Sequence, residues 1–361
     1  MKYNMGLRRR FVAFTSLVMA LAATTVACAD TNQKLNNAVV LLYHHVATDT
    51  PASTSVSPDT FKAHMAYLDS HHTVLPLATV IERIQNGETL PDKTVVITFD
   101  DGYENILTNA HPILQEYDFP YTIFINPGEI GSNASQLSWQ QVKAMHSDGV
   151  SFANHTMDHL HMLERNAGES QTDWLARLRD NVEQAEQAIE AQTGTSLKYL
   201  AYPFGEYNDA LADMLQAQGY IAFGQHSGGI SSHSDMQTLP RFPAAGPYAK
   251  LSSLKTKLAS LAMPVSDSNL TDPEISGGEL AEPLQFSVNS TDVSMSQLAC
   301  FFQGETLNPT VENTTVTVTV GDLPVGRSRV NCTAPSKASA GRYYWYSQPF
   351  FVADSQGRYP D

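Results

Sequence analysis

Short apolar runs alternate with longer amphipathic runs over residues 38–262, and this alternation limits the fold more than any other feature of the sequence. The apolar runs that predict strands are residues 39–43, 94–99, 121–126, 150–153, 197–202 and 220–223. Repeated strand–helix units favour a parallel sheet covered by helices, either open or closed into a barrel. We therefore predict an α/β fold, a distorted (β/α) barrel, with its chemistry at the strand ends.

The clearest helical pattern spans residues 172–191. Its apolar side chains recur at steps of three and four residues, as expected for one face of an amphipathic helix. These side chains are Trp174, Leu178, Val182, Ala185 and Ile189. The spacing predicts a long helix between two of the strands.

The sequence changes character near Met263. Residues 264–283 contain Ser, Asp, Gly and Pro with little periodicity, which predicts a linker. We predict a barrel domain over residues 36–263, the linker over 264–283 and a small all-β sandwich over 284–361. The strand-like runs of the sandwich are residues 284–288, 298–302, 314–320, 327–332 and 343–352.

The charge balance of the chain is acidic. It has 22 Lys and Arg residues against 37 Asp and Glu residues, a formal net charge of −15. Nucleic-acid binding needs clusters of basic side chains that neutralise phosphates, and no such cluster occurs after residue 10. The composition therefore argues against a nucleic-acid partner.

The first 29 residues have the features of an export signal. Lys2 and the arginines at 8–10 form a basic start, and the apolar run at 11–22 is too short to span a bilayer comfortably. We predict a signal peptide over residues 1–29 and a secreted or periplasmic protein without a transmembrane span in its mature chain. The alternative is a lipid anchor at Cys28, because the residues before it partly resemble a lipobox.

The other two cysteines, Cys300 and Cys332, fall within the predicted sandwich. In an oxidising compartment, two cysteines in one small domain predict a disulfide. A metal site is the poorer interpretation, because neither belongs to a Cys-x-x-Cys pair.

Two adjacent carboxylates, Asp100 and Asp101, follow the apolar run at 95–97 and precede Gly102 in the segment TFDDGY. Such a pair at the end of a strand serves acid–base or metal chemistry. A capping pair in a strand-to-helix loop is an equally good interpretation of this segment alone.

Two histidines, His155 and His159, are spaced by four residues in the segment HTMDH. On a helical turn this spacing places both imidazoles on one face, where they can reach one divalent ion. Two histidines and a carboxylate form the usual open ligand set of a hydrolytic metal. A pair of this kind is often coincidental, so the spacing alone does not decide.

Two further segments end apolar runs on polar or turn residues. The segment YPFG contains Phe204, and another run ends on His44 and His45. Taken singly, the first segment is compatible with a simple strand-ending turn, and a structural role is the better interpretation of either histidine.

Together these four segments resemble the polysaccharide deacetylases of carbohydrate esterase family four, which share the NodB-homology domain. TFDDGY is similar to the first motif of that family, HTMDH to its His-Ser/Thr-x-x-His motif and YPFG to its third. The resemblance covers about residues 38–262 and does not include the predicted sandwich.

The resemblance implies roles for the matching residues. Asp100 becomes the general base, and Phe204 offers a backbone N–H to the oxyanion of the reaction. The implied metal ligands are Asp101, His155 and His159. Zinc is the metal that this ligand set favours, and Co²⁺, Ni²⁺ or Fe²⁺ are compatible with it.

The sequence departs from the common family pattern in two places. No Leu-x-His motif follows the barrel, and the one ending on His44 precedes TFDDGY, as in the circularly permuted branch similar to poly-β-1,6-N-acetylglucosamine deacetylases. This alignment makes His44 the general acid, with His45 as the alternative. Ala201 stands where the family has an arginine that orients the base. Arg241 is the candidate replacement, and a surface arginine without a role is the alternative.

The resemblance implies a hydrolase that removes N-acetyl groups from an N-acetylglucosamine polysaccharide, its partner being that acetylated polymer. O-acetyl ester hydrolysis on a polymer such as xylan would use the same machinery and remains an alternative. A non-catalytic carbohydrate-binding module is another. A Ser-His-Asp hydrolase is disfavoured, because no Gly-x-Ser-x-Gly segment occurs. The acidic surface would attract a polymer that becomes cationic as acetyl groups leave, and salt would weaken that attraction.

Overall fold

The computed structural model describes residues 36–360 together with Met1. The predicted signal peptide, apart from Met1, and the candidate lipidation site Cys28 lie outside the described residues. Among the described residues, none of the helices combines the length and the apolar character needed to cross a bilayer.

Within residues 36–360, nine strands form the sheet of the predicted barrel, and seven of them follow the order β10-β1-β5-β6-β7-β8-β9. All neighbours in this order are parallel except β10, which runs antiparallel to β1. The strands of this part are β1 (Asn37–Tyr43), β2 (His45–Val46), β3 (Ser55–Val56), β4 (Thr73–Val74), β5 (Thr94–Asp101), β6 (Tyr121–Ile125), β7 (Ser151–Asn154), β8 (Tyr199–Ala201), β9 (Ile221–Phe223), β10 (Ile230–Ser231) and β11 (Phe242–Pro243). The six predicted strands and the distorted α/β barrel are confirmed.

One chain segment, residues 236–243, lies between the two edges of the curled sheet, and we name it the closing segment. Leu239 pairs in parallel with Phe223 of β9, and β11 pairs in parallel with β1. The backbone N–H of Leu239 donates to the carbonyl of Ala222 over 2.9 Å. The closing segment therefore joins the last strand of the barrel to the first.

The helices are α1 (Pro58–His71), α2 (Leu77–Gln85), α3 (His111–Glu116), α4 (Trp139–Ser147), α5 (Gln171–Thr193), α6 (Asp209–Ala217) and α7 (Leu251–Leu258). Among the described residues, the helices pack on the outer face of this sheet except α2, whose apolar side chains pack with the strand side chains of the opposite face. The predicted helix is confirmed as α5, and all five of its predicted apolar side chains are buried. Ser170 caps its first turn by accepting from the Asp173 N–H, and Gly194 ends it in the left-handed conformation.

The C-terminal part consists of two sheets that face a common apolar core, as predicted for a small sandwich, and their strand pairs are antiparallel except for the parallel pair of β12 with β20. Within the described residues, one sheet has the order β12-β20-β19-β15-β16 and the other β13-β14-β18-β17. The strands are β12 (Ser260–Ala262), β13 (Val265–Ser266), β14 (Leu284–Val288), β15 (Ala299–Phe302), β16 (Glu305–Leu307), β17 (Thr310–Glu312), β18 (Thr315–Val318), β19 (Gly326–Pro335) and β20 (Tyr343–Val352). Cys300 of β15 lies opposite Cys332 of β19, and the predicted disulfide joins them.

Barrel and sandwich share one compact unit, which contains residues 36–360. β12 precedes the predicted linker but pairs in parallel with β20 of the sandwich. The Asn37 side chain, at the start of the barrel, donates to the Ser260 carbonyl and accepts from the Ala262 N–H. Trp345 of β20 packs edge-on against Phe242, with ring centroids 5.2 Å apart. The domain boundaries stay a prediction, but the two parts are closely joined.

The predicted linker follows the surface of both parts. Its Glu274 accepts hydrogen bonds from Arg165, Asn208 and Tyr359 at 2.6–3.0 Å. Glu274 also forms a backbone bridge with Phe351 of β20. The segment is therefore held in place by specific polar contacts.

Removal of the disulfide by the double substitution Cys300→Ala and Cys332→Ala should lower the free energy of unfolding by about 2–4 kcal/mol, because the unfolded chain gains freedom. Urea unfolding of both proteins, with and without reductant, measures this difference. Reductant should destabilise only the wild-type protein. Identical midpoints for the wild-type and double variant would show that the bond does not stabilise the fold.

Candidate active site

The residues singled out in the sequence meet at the carboxyl ends of neighbouring parallel strands. Asp101 ends β5 and pairs with Ile125 of β6, which pairs with Asn154 of β7. His155 therefore follows β7 at the level where β5 delivers its carboxylates. Parallel strands place their carboxyl ends at one rim of a barrel, where catalytic groups gather.

One carboxylate oxygen, Asp101 Oδ1, faces the two predicted histidine ligands. It lies 3.3 Å from His155 Nε2 and 3.4 Å from His159 Nε2. One ligand atom from each of the three residues lies within 4.8 Å of the others. Tetrahedral ligands at bond lengths of about 2.0–2.1 Å are separated by about 3.3–3.4 Å, so two of the three separations match a zinc-type site.

Two atoms of this group support a cation between them. Asp101 Oδ1 and His155 Nε2 are buried and have no hydrogen-bond partner among the described residues. A buried polar atom without a partner is costly, and a divalent cation would satisfy both atoms at once. The His159 side chain remains 29% exposed, which leaves one side of the site open to a substrate.

The protonation states of the histidines differ. Burial and the neighbouring His155 lower the pKa of His159 to about 4, so its imidazole is neutral at physiological pH. Burial alone would lower the pKa of His155, but the charges of Asp100 and Asp101 outweigh it and raise that pKa. In the metal-free protein, a proton on His155 therefore competes with a cation for the same carboxylates.

The predicted helical turn for the histidine pair is wrong. Residues 155–159 form an irregular loop after β7, and Thr156 and His159 have positive φ angles of 66° and 53°. These angles turn the chain so that both imidazoles reach Asp101 without a helix. Asp101 and Phe204 also have positive φ, at 72° and 57°. Such conformations cost about 1–3 kcal/mol each and persist where the surrounding structure imposes them, often at functional sites.

Asp100 forms a buried ion pair with Arg241 of the closing segment. The two guanidinium nitrogens Nη1 and Nη2 donate to Asp100 Oδ1 and Oδ2 over 2.7 and 2.8 Å. Arg241 and Asp100 are both 0% exposed, so the surface-arginine alternative is wrong. Burial alone would raise the pKa of Asp100, but Arg241 and His155 outweigh it and hold that pKa below its ordinary value. Asp100 is therefore an oriented carboxylate.

The two adjacent histidines after β1 face different surroundings. His44 is half-buried and lines a cleft that also contains Phe204. His45 is buried and stacks on Tyr103 at 3.7 Å, and its Nδ1 lies 2.9 Å from the Asn105 side-chain nitrogen. Only His44 of this pair therefore faces the cleft, as expected if it is the acid.

Phe204 lies in a tight turn after β8, beside the histidine ligands. Its ring packs edge-on against His159 at 4.6 Å and stacks on His161 at 3.8 Å. Gly205 follows with a φ of 74°, and a Cβ there would lie 2.8 Å from Gln225. Only glycine fits this position, and the turn brings the Phe204 side chain against His159.

Sequence analysis missed two residues that fix the histidine loop. The Ala201 carbonyl lies 2.7 Å from His155 Nδ1, and a hydrogen bond there leaves Nε2 free to face Asp101. The buried Asn126 side chain donates to the carbonyls of His155 and Thr156. Asn126 follows β6 at the same barrel rim, so its position was a usable signal, whereas a backbone carbonyl leaves none.

A carboxylate and two histidines around one point, beside a second carboxylate, form a candidate divalent-metal site at the rim of a distorted barrel. Residues 87–223 match the polysaccharide deacetylase family model. The chain is 26% identical over 273 residues to the poly-β-1,6-N-acetyl-D-glucosamine N-deacetylase of Staphylococcus aureus, covering 67% of this chain and 92% of that protein.

Solved structures agree on the fold. A Streptococcus pyogenes deacetylase in complex with acetate matches with a TM-score of 0.56 and 23% identity, over 62% of this chain and 98% of the other. IcaB from Ammonifex degensii matches with a TM-score of 0.54 and 21% identity, over 61% and 96%. Residues 87–223 therefore form a polysaccharide deacetylase domain, and the chain is a hydrolase.

Zinc affinity of the metal-free protein should keep rising as the pH increases above about 6.5, because the pKa of His155 lies above that ordinary value and its proton must leave. Calorimetric zinc titrations across this range measure the effect. The variant His155→Gln should lose most of the pH dependence, whereas His159→Gln should bind more weakly and keep it. Equal wild-type affinity at all pH values would contradict this assignment.

Proposed function

We propose that this protein is a metal-dependent hydrolase that removes N-acetyl groups from an N-acetylglucosamine-containing polysaccharide. The convergence of Asp101, His155 and His159 beside the oriented carboxylate of Asp100 is the observation that carries the proposal. The similarity to the Staphylococcus aureus N-deacetylase supports the substrate class.

The metal would be held by Asp101, His155 and His159, and zinc is the metal that these ligands favour, with Co²⁺, Ni²⁺ or Fe²⁺ compatible. When bound, it supplies Lewis-acid polarisation of the acetyl carbonyl and acidifies water. Asp100 acts as the general base that takes a proton from the attacking water. Arg241 holds both Asp100 oxygens and keeps the carboxylate ionised.

The remaining steps use groups that line the cleft. His44 lines this cleft and protonates the departing amine as the general acid. The Phe204 backbone N–H, placed by the turn before Gly205, donates to the tetrahedral oxyanion. The position of His44 after β1 and ahead of β5 is the order expected of the circularly permuted branch.

We also propose an exported protein. A disulfide between Cys300 and Cys332 is typical of oxidising compartments, as the predicted signal peptide implies. The substrate would then be met outside the cytoplasm, with lipid anchoring at Cys28 as the alternative to free secretion.

The variant Asp100→Asn should lower kcat about 10²–10⁴-fold and leave zinc affinity nearly unchanged, because it removes a base and not a ligand. Acetate release from defined N-acetylglucosamine oligomers, with and without a chelator, measures activity. Asp101→Asn, the matched control one residue away, should lose zinc affinity as well. Acetate release from acetylated xylan alone would favour the O-esterase alternative, and full activity of Asp100→Asn would exclude this mechanism.

The variant Arg241→Met should move the acid limb of the kcat/KM–pH profile to higher pH. In the wild-type protein, Arg241 lowers the pKa of Asp100, so the base stays ionised below its ordinary pKa. Without the guanidinium, burial dominates, that pKa rises and the base is lost at a higher pH. Arg241→Lys, which keeps the charge, should show a smaller displacement. If the acid limb of Arg241→Met did not move, Arg241 would not control the pKa of the base.

A further inference from the structure

The cleft beside the candidate active site is bounded by both parts of the protein. Its volume is about 860 Å³. His44 and Phe204 line it from the barrel, and Arg327, Arg329 and Asn331 of β19 line it from the sandwich. The sandwich is therefore one wall of the space next to the reacting groups.

This wall is basic, although the chain as a whole carries a formal charge of −15. Among the described residues that line the cleft there are two arginines and no Asp or Glu. Burial lowers the pKa of Lys257 to about 7 and the pKa of His226 to about 3, and the charge of Arg329 is the second cause of both shifts. Several groups around the cleft therefore experience the positive charge of Arg329.

The two arginines of the wall differ in their surroundings. Arg327 donates to the Phe204 carbonyl and interacts with the charge of the buried Glu206. Arg329 is half-buried, its Nη1 donates to the Gln225 carbonyl over 3.4 Å, and it forms no ion pair within the described residues. Arg329 thus presents a guanidinium whose charge is not offset by a bonded carboxylate.

The neighbouring amide is oriented by its own contacts. Asn331 Oδ1 accepts from Trp345 Nε1 over 3.2 Å and from Ser347 Oγ over 2.7 Å. These bonds occupy the oxygen, and within residues 36–360 the amide nitrogen donates no hydrogen bond. Arg329 and Asn331 therefore offer hydrogen-bond donors to the cleft, and a ligand there needs acceptors.

We propose that Arg329 and Asn331 form a second sugar subsite, which accepts a neutral N-acetylated sugar and rejects a deacetylated one. The proposal rests on the proposed deacetylase function. An acetamide presents a carbonyl acceptor and no charge, so it matches these donors. A glucosammonium group has three donors, no acceptor and a positive charge. It would leave the donors of Arg329 and Asn331 without an acceptor, and the charge of Arg329 would repel it. Deacetylation of one sugar would then disfavour reaction beside it.

Binding measurements test the subsite in the Asp100→Asn background, in which turnover is slowed. Calorimetry compares a fully acetylated N-acetylglucosamine oligomer with the same oligomer carrying glucosamine beside one acetylated position, at a pH of about 6 where amines are protonated. We expect about tenfold tighter binding of the acetylated oligomer, and a smaller preference in high salt. Arg329→Gln should reduce the preference to less than about threefold, whereas Arg329→Lys, which keeps the charge, should retain most of it.

Arg179→Gln is the control, because Arg179 is an exposed side chain of α5 whose ion pair is with its neighbour Asp180. It should keep the full preference, and thermal unfolding should show that each variant is folded. Equal binding of both oligomers, or an unchanged preference in folded Arg329→Gln, overturns the subsite while acetate release by the wild-type protein still stands. No acetate release from any oligomer by the metal-loaded wild-type protein overturns the proposed function, and the subsite with it.

Discussion

The buried ion pair between Asp100 and Arg241 is the interaction on which the catalytic rim of the barrel depends. Both side chains are fully buried, and moving two charges out of water costs several kcal/mol each. The cost is offset only by close geometry and further bonds. Two charge-assisted bonds to Asp100, and a third from Arg241 Nε to the Gly224 carbonyl, provide them. The pair therefore fixes β5 against the closing segment, and the same contact that closes the barrel orients the base.

This pair also explains how two adjacent carboxylates acquire different tasks. Successive side chains of a strand point to opposite faces, which would separate Asp100 from Asp101. The positive φ of Asp101 at the strand end turns its carboxylate towards the histidines, while Asp100 stays with Arg241. One carboxylate then faces two histidines and the other a guanidinium. The proposed base and the proposed metal ligand are therefore neighbours in sequence with different partners.

Much of the fold could be predicted from local periodicity. The contacts between distant segments that close the barrel could not. The strands and helix α5 could be predicted because each buries one face, so apolar side chains recur at the spacing of that element within a short stretch of sequence. The spacing of His155 and His159 suited one cation, but the same spacing is compatible with a helix and with the loop observed. Arg241 could be proposed only as a substitute for the missing motif arginine. Its contact spans 141 residues, so only the folded chain shows which strand end it reaches.

The sandwich forms one wall of the cleft at the rim of the barrel, and its arginines make this wall positive although the whole protein is negative. Salt screens interactions between exposed charges beyond about 8–10 Å, so the acidic exterior acts weakly on a sugar held inside the cleft. There the nearby guanidinium of Arg329 dominates and opposes an ammonium group. Along the outer surface the net charge of −15 acts instead, and it attracts a polymer that has gained amines. The two fields together would move a deacetylated segment out of the cleft without releasing the polymer from the protein.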